Sequence, residues 1–369
     1  MIPADSDSKK ELLKTYHTKS VVPLDDALGL SRLPFKMSLG LMLEVAFWAQ
    51  NQSSYQAAED VIQKVYGLKI NDDTVRLVTN VIGKIVFDAD CKRAEEAMAL
   101  YETCKLDFKK HLKGTLYIEL DGAALNTRIV NDDGSSWREN KLGMVFSSSN
   151  IRYYKNARRK DKREHKILKR EYVSYLGGVE SFKKHLFSCA LRNGYGQYEK
   201  TVILSDGAKW IANLAAEQYP DAQHILDYFH LCENVNTYAK CLFGEDSEKW
   251  EPWADRICEM LKEGRSDEVL SELDPKKTFP NCVNLSHYIK LHKNHIDYPK
   301  YLAEGWFIGS GAIESGNKVV LQKRLKQAGM RWDGETAQYL LALRAKQESE
   351  LWNEVVETVT AFYGTPGTP

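Results

Sequence analysis

The sequence lacks an excess of charge of either sign, a long apolar run and a paired-cysteine motif. Its 369 residues carry 51 basic and 51 acidic side chains, so the net charge does not point to an anionic partner. No apolar run approaches the roughly 18–20 residues of a membrane span. The opening "MIPADSDSKKELLK" has no apolar centre of the kind that a secretory signal needs. Seven scattered cysteines without a C-x-x-C pair indicate a reduced cytoplasmic protein with no structural zinc site. The length predicts two or three domains.

Residues 1–113 have the pattern of a helical region after an irregular polar start. Helical periodicity is clear in "LGLMLEVAFWAQ", "SYQAAEDVIQKVYG" and "NDDTVRLVTNVIGKI", and we expect a further helix over roughly 88–113. Gly67 suits the end of the second helix, and Asn71 or Asp72 suits the N-cap of the third. The short link "GLKI" gives this pair the proportions of a DNA-binding helix-turn-helix. The alternative is an ordinary helical hairpin.

Residues 114–227 alternate between strand and helix patterns. Strands are expected in "GTLYIELDGAAL", "KLGMVFSSSN", "REYVSYLGG", "KTVILSDG" and "AQHILD", with an amphipathic helix before the fourth and another before the fifth. This order predicts a mixed-sheet α/β domain. Residues 228–305 read as a helical insertion with a small core of its own, formed near Trp250, Trp253 and Leu261. Residues 306–369 add two more helices that complete the domain.

Two aspartates are expected at the ends of strands. Asp121 follows "YIEL" and Asp206 follows "VILS", and each precedes a glycine that allows a ligand to approach closely. In open sheets, ligands bind at the carboxyl ends of the strands. The two carboxylates are therefore candidates for one shared site. The alternative is a pair of unrelated Asp-Gly turns, which are common.

A third carboxylate, Glu314, stands just inside a helix that follows a Gly-Ser-Gly turn. On its own it would suit an i,i+4 ion pair with Lys318. The run that follows, "KVVLQKRLKQAGMRW", is basic and ends on Trp332, which we expect to pack rather than to stack on a base. An acidic group beside a basic stripe suits a metal site that handles a polyanion. The residues of this stripe that we expect to contact DNA are Lys318, Arg324, Lys326 and Arg331.

A second basic segment spans residues 152–172, "RYYKNARRKDKREHKILKREY". A run of this kind is either a solvated loop or hairpin, or a contact to the DNA backbone. We predict the DNA contact, through Arg158, Arg159, Lys160 and Arg163.

The three carboxylates are the ligand type that a hard cation such as Mg²⁺ (or Mn²⁺) prefers. Two such ions, about 3.5–4 Å apart, can activate the attacking oxygen and stabilise the leaving oxygen in phosphodiester transfer. The residue types therefore indicate a metal-dependent reaction on a phosphodiester.

Four motifs resemble those of the DDE transposases of bacterial insertion sequences, in their mutator-like branch, both in residues and in their order along the chain. They are "ELDGAA", "LSDGAKWI", "ILDYFH" and "GSGAIESGNK…RLKQAGMRW". The resemblance covers roughly residues 20–350. It implies an RNase H-like catalytic core interrupted by a helical insertion, with Asp121, Asp206 and Glu314 as the metal-binding catalytic triad. It also implies double-stranded DNA as substrate, a homodimer or higher homo-oligomer on that DNA, and a cytoplasmic, nucleoid-associated location. The alternatives are an RNase H-like nuclease without joining activity and a domesticated DNA-binding protein with a vestigial core.

The same family places an Asp-x-x-His or Cys-x-x-His motif after the second acidic residue, and Asp227 and His230 match it. The resemblance implies that both belong to the catalytic site, with His230 contacting DNA phosphate or orienting a catalytic group. The alternative is that Asp227 only caps the helix that begins after it.

Overall fold

The structure, a computed structural model, describes residue 25 and residues 30–103, 108–130, 134–155 and 163–364. Its N-terminal region is helical. The helices are α1 (Leu39–Asn51), α2 (Tyr55–Tyr66) and α3 (Asp72–Glu102), after short 3₁₀ turns at Leu30–Arg32 and Pro34–Lys36. Gly67 ends α2 in the left-handed conformation, and the Asn71 side chain caps α3, as the sequence predicted.

Helix α3 corrects the expectation of a separate helix over 88–113. It is one helix of 31 residues that ends at Glu102, and the chain has entered a strand by Leu112. Gly83 in its middle does not break it. A Cβ at Gly83 would lie 2.7 Å from the backbone oxygen of Tyr339, so this glycine allows close packing against a C-terminal helix.

A mixed five-stranded sheet lies at the centre of the α/β region. The strands are β1 (Leu112–Asn126), β2 (Trp137–Ser147), β3 (Ile151–Lys155), β4 (Arg163–Ile167), β5 (Glu171–Leu176), β6 (Tyr198–Ser205) and β7 (Gln223–Leu226). The sheet order is β5-β2-β1-β6-β7, and β3 and β4 form a separate two-stranded ribbon. Strand β1 is antiparallel to β2 and parallel to β6, while β6 is parallel to β7. The five predicted strands are thus confirmed, and the ribbon corresponds to the hairpin alternative for the basic segment.

One detail of β1 differs from expectation. Asp121 does not end the strand, because β1 stays paired with β2 as far as Asn126. The parallel pairing of β1 with β6, however, stops at Glu119 opposite Leu204. Asp121 therefore lies just beyond the point where β6 leaves the sheet, which keeps it at the predicted edge.

Helices cover both faces of the sheet. One face packs against α4 (Val179–Arg192), α5 (Lys209–Gln218) and part of α3. The other face meets the helices of the insertion. These are α6 (Tyr228–Phe243), α7 (Trp250–Lys262), α8 (Ser266–Glu272), α9 (Leu285–Leu291) and α10 (Tyr298–Ala303), with a 3₁₀ turn at Lys293–His295.

Residues 228–305 contain helices and no strand, as predicted. The separate small core expected for them is wrong. Leu261 is buried in the same apolar cluster as Leu142 of the sheet, and Trp250 and Trp253 pack against that cluster. The insertion is held to the sheet by one continuous core.

The C-terminal part packs against both the sheet and the N-terminal helices. It comprises α11 (Gly311–Asn317), a π-helical turn (Lys318–Gln322), α12 (Lys323–Leu325), α13 (Gly334–Glu348) and α14 (Trp352–Tyr363). Leu343 of α13 and Val355 of α14 share an apolar cluster with α1, α2 and α3. Within the described parts of the chain, no helix has the length and apolar content needed to cross a membrane.

Candidate active site at the edge of the sheet

Asp121 is held by two hydrogen bonds at the sheet edge. Its Oδ1 accepts from the backbone N–H of Gly122 at 2.7 Å, and its Oδ2 accepts from the amide of Asn317 in α11. Burial raises the pKa of Asp121, and these two hydrogen bonds and His230 lower it, while the carboxylate of Asp206 raises it again. The net shift is upward, so holding this carboxylate charged costs free energy.

Asp206 comes directly after β6, as the sequence predicted. Its Oδ1 accepts from the N–H of Ala208 at 2.9 Å, and its backbone oxygen accepts from the Tyr288 hydroxyl at 3.1 Å. Gly207 has a φ of +88°, and a Cβ there would lie 2.7 Å from Leu226. The tight turn that follows Asp206 therefore requires glycine.

Glu314 faces His230 rather than Lys318. The distance from His230 Nε2 to Glu314 Oε1 is 3.8 Å, and His230 Nδ1 lies 3.0 Å from Glu233 Oε2. The alternative, an ion pair of Glu314 with Lys318, does not occur among the ion pairs of the described residues. Glu314 is about half exposed, with 47% of its side chain accessible.

His230 is the common neighbour of the acidic residues. Burial lowers its pKa, but the carboxylates of Asp227, Glu233, Asp206 and Glu314 outweigh that effect and raise it. Because His230 also lowers the pKa of Asp121, all three predicted acidic residues interact with one imidazole. The protonated, positively charged ring is favoured by this environment.

Asp227 proves to be a helix cap. It is fully buried, and its Oδ1 accepts from the N–H groups of Phe229 at 2.6 Å and His230 at 3.2 Å. Its Oδ2 accepts from the N–H of Ser310 at 2.6 Å and from the Ser310 hydroxyl. Asp227 therefore joins the start of α6 to the turn before α11, which fixes His230 relative to Glu314.

Two residues of the site were not identified from the sequence. Asn317 lies one turn after Glu314 on the same face of the helix, and Glu119 lies two residues before Asp121 on the same face of β1. Those spacings from Glu314 and Asp121 are the features of the sequence that could have identified them. Glu119 is buried and its Oε2 accepts from the N–H of Ile313 at 2.9 Å. Burial raises its pKa to about 8, with further contributions from Asp227 and Glu314.

The residue types at this edge suit a hard divalent cation. The predicted triad of Asp121, Asp206 and Glu314, however, is not among the sets of described residues whose ligand atoms all lie within 4.8 Å of one another. Among the described residues, Asp227, His230 and Glu314 have possible ligand atoms that all lie within 4.8 Å of one another. Asp227 is the poorest donor of these, because both of its oxygens already accept hydrogen bonds. Asp121 and Asp206 repel each other, and the buried Oδ1 of Asn317 has no hydrogen-bond partner. A cation between these oxygens would relieve the repulsion and satisfy the amide oxygen.

The basic residues of the Glu314 segment divide into two groups. Arg324 is buried, which corrects the expectation that it contacts DNA. Its Nε donates to the carbonyl of Ala49 at 3.0 Å, and its guanidinium lies over the rings of Tyr55 and Trp332. Trp332 is buried and its indole N–H donates to Leu325 at 2.9 Å, as the packing interpretation predicted.

The other four cations of this segment, Lys318, Lys323, Lys326 and Arg331, are exposed. Lys318 and Lys323 belong to the helical run that contains Glu314, and that run ends at Leu325 with Lys326 as its C-cap. In the second basic segment, Arg158, Arg159 and Lys160 lie outside the described residues, and Arg163 begins β4.

No protein-family model matches the chain, and no curated protein does so either.

Proposed function

We propose that the chain is a DDE transposase with an RNase H-like core, which cleaves DNA strands and joins them to a target with the help of Mg²⁺ or Mn²⁺. The observation that carries the proposal is the placement of His230, whose Nε2 lies 3.8 Å from Glu314 Oε1 and whose charge interacts with the carboxylates of Asp121 and Asp206. The three acidic residues come from a central strand, the end of its parallel neighbour and a helix packed against both. The strand order β5-β2-β1-β6-β7, with three antiparallel strands followed by two strands parallel to β1, supports the RNase H-like assignment.

In this proposal, each residue has a distinct task. Asp121, Asp206 and Glu314 would hold the metal, which when bound activates the attacking oxygen and stabilises the leaving oxygen of a phosphodiester. Asn317 positions the Asp121 carboxylate through its amide. His230 presents a proton on Nε2 toward the site, where a phosphate oxygen could accept it.

The surroundings of the site suit a DNA backbone. Exposed cations follow Glu314, at Lys318 and Lys326, and others stand on the ribbon, at Arg152 and Lys155. Such side chains attract and orient phosphates without regard to sequence. The motif resemblance extends the proposal to double-stranded element ends and target DNA, a homodimer or higher homo-oligomer on DNA, and a cytoplasmic, nucleoid-associated location.

The test is a plasmid assay with two readouts. Purified protein is incubated with supercoiled plasmid and an end-labelled duplex taken from the flanks of its own gene, in Mg²⁺, in Mn²⁺ or in EDTA. A transposase nicks the plasmid and joins labelled duplex to it, and EDTA abolishes both products. Asp121→Asn should remove both products while DNA binding is kept. Asp255→Asn, an exposed aspartate of α7, is the matched control and should behave as wild type.

The alternatives give different results in the same assay. Metal-dependent nicking without joined label would favour the RNase H-like nuclease. DNA binding without either product, in every metal, would favour a domesticated DNA-binding protein with a vestigial core. Failure to bind DNA at all would overturn the proposal.

A further inference from the structure

A large cleft opens directly beside Glu314. Its volume is about 830 Å³, and its walls come from β4, the first turn of α6 and the segment 306–312. Glu119 and Glu314 line the same cleft, so it is continuous with the candidate active site. Its volume falls within the range of about 300–1,000 Å³ typical of small-molecule pockets. That is room for a base-sized group rather than for a duplex.

The wall formed by α6 presents an exposed aromatic ring. Phe229 has 61% of its surface exposed, although it directly precedes His230. Its backbone is anchored, because Asp227 accepts the Phe229 N–H at 2.6 Å. Its ring lies against Gly309, where a Cβ would be 2.5 Å from it. A large apolar ring exposed next to a charged site offers a surface for stacking.

The opposite wall adds aromatic and cationic groups. The His165 ring stacks on Phe307 with centroids 4.5 Å apart, and Tyr117 lies behind Phe307 at 5.1 Å. Lys166 and Arg170 line the same side. Arg170 is braced by hydrogen bonds from its guanidinium to the Tyr172 hydroxyl and the Ile167 carbonyl. Aromatic faces combined with cations are the features that bind unpaired nucleotides.

We propose that this cleft receives one nucleobase that has left the DNA stack next to the cleaved phosphodiester, with the base stacked on Phe229 and a neighbouring phosphate near Lys166. The inference rests on the proposed function, because it places the phosphate of the same nucleotide at the acidic residues. Extrusion of a base costs unpairing energy, which stacking on an aromatic side chain offsets. The cleft thereby keeps the strand bent open at the bond to be cut.

The test compares two labelled duplexes of identical sequence, one fully paired and one with a single unpaired 2-aminopurine in a one-nucleotide bulge. Binding is measured with Ca²⁺ in place of Mg²⁺, so that the strands stay intact. The wild-type protein should bind the bulged duplex about 5- to 150-fold more tightly, as expected from stacking on one aromatic ring. The 2-aminopurine fluorescence should fall on binding, because the base stacks on Phe229.

Variants separate the cleft from the rest of the DNA surface. Phe229→Ala should lose the preference for the bulge and the fluorescence change but keep its affinity for paired DNA, whereas Phe229→Trp should keep all three. Gly309→Ala should reproduce the loss by displacing the Phe229 ring. Phe362→Ala removes a ring that is 66% exposed on α14 and should change nothing.

The possible failures are distinguishable. A wild-type protein that binds both duplexes equally, or a folded Phe229→Ala variant that keeps the full preference, would overturn the base-binding role while the proposed function stands. A wild-type protein that binds neither duplex would overturn the proposed function, and the inference with it.

Discussion

Two junctions at the same edge of the sheet place their aspartates in different surroundings. Where β7 meets α6, Asp227 is fully buried and its two oxygens accept hydrogen bonds from Phe229, His230 and Ser310. Where β6 leaves β1, burial raises the pKa of Asp121, and repulsion by the Asp206 carboxylate adds to that effect.

The difference distinguishes a carboxylate with a structural role from the two carboxylates that the proposed function assigns to metal binding. A carboxylate surrounded by N–H donors stabilises the folded state, because its charge is compensated by the protein itself. Two carboxylates that repel each other destabilise it, and such an arrangement persists where a ligand supplies the missing positive charge. The contrast predicts that substitutions at the two junctions will affect different properties.

The largest expected effect is on catalysis, at the β1–β6 junction. If the proposed function is right, Asp206→Asn should lower the DNA-cleavage rate by at least about 100- to 1,000-fold, because it removes an electrostatic group that the proposed reaction requires. Its free energy of unfolding at pH 7, measured by urea denaturation without metal, should be unchanged or higher, since the repulsion with Asp121 is removed. A marked loss of stability would show that Asp206 is as structural as Asp227.

The next effect is on stability, at the β7–α6 junction. Asp227→Ala leaves the donors of Phe229, His230 and Ser310 without their acceptor, so the free energy of unfolding should fall by about 2–5 kcal/mol. Asp333→Ala is the matched control, since the exposed Asp333 caps only α13, and it should cost about 1 kcal/mol. Equal losses for the two variants in urea denaturation would refute the special role of Asp227.

Substitution of Glu119 tests whether this buried acid makes the free energy of unfolding depend on pH. Its pKa is raised from 4.5 to about 8 in the folded state, so the folded protein holds this proton more tightly than the unfolded chain does. The contribution of the protonated Glu119 carboxyl to the free energy of unfolding is complete below about pH 4.5. It is lost as the pH rises to about 8, at up to about 1.4 kcal/mol per pH unit.

Glu119→Gln should therefore flatten the decline in unfolding free energy between pH 5 and pH 8, measured in EDTA. The variant keeps an oxygen for the Ile313 N–H. Glu304→Gln, on an exposed residue, should leave the decline as in wild type. Parallel pH profiles for the wild-type protein and Glu119→Gln would show that Glu119 does not hold the proton.

The smallest effects distinguish the two groups of cations after Glu314. Lys326→Ala should reduce the slope of log binding constant against log salt by about 0.9, as expected for one phosphate contact. Arg324→Ala should leave that slope unchanged but lower the free energy of unfolding by about 1–3 kcal/mol, because the carbonyls of Ala49 and Ser53 lose a donor. A reduced slope for a folded Arg324→Ala variant would contradict its structural assignment.

The sequence was a good guide wherever the signal was local. The cap at Asn71, the left-handed Gly67 and the strand before Asp206 each depend on residues within one or two turns. It was a poor guide where distant segments decide. The prediction for Arg324 failed because an arginine in the sequence can lie on the surface or in the core. Its buried position depends on the carbonyl of Ala49, an acceptor 275 positions away.

By itself, then, the sequence determined most of the strands and helices and the acidic residues to consider, because periodicity and capping act over a few neighbouring residues. Only the tertiary structure decided which donors and charges surround each acid. The amide of Asn317 reaches Asp121 across 196 positions, and Ser310 reaches Asp227 across 83. Whether a carboxylate is a cap or a ligand depends on the donors and charges around it in space, and those come from segments that meet only when the chain has folded.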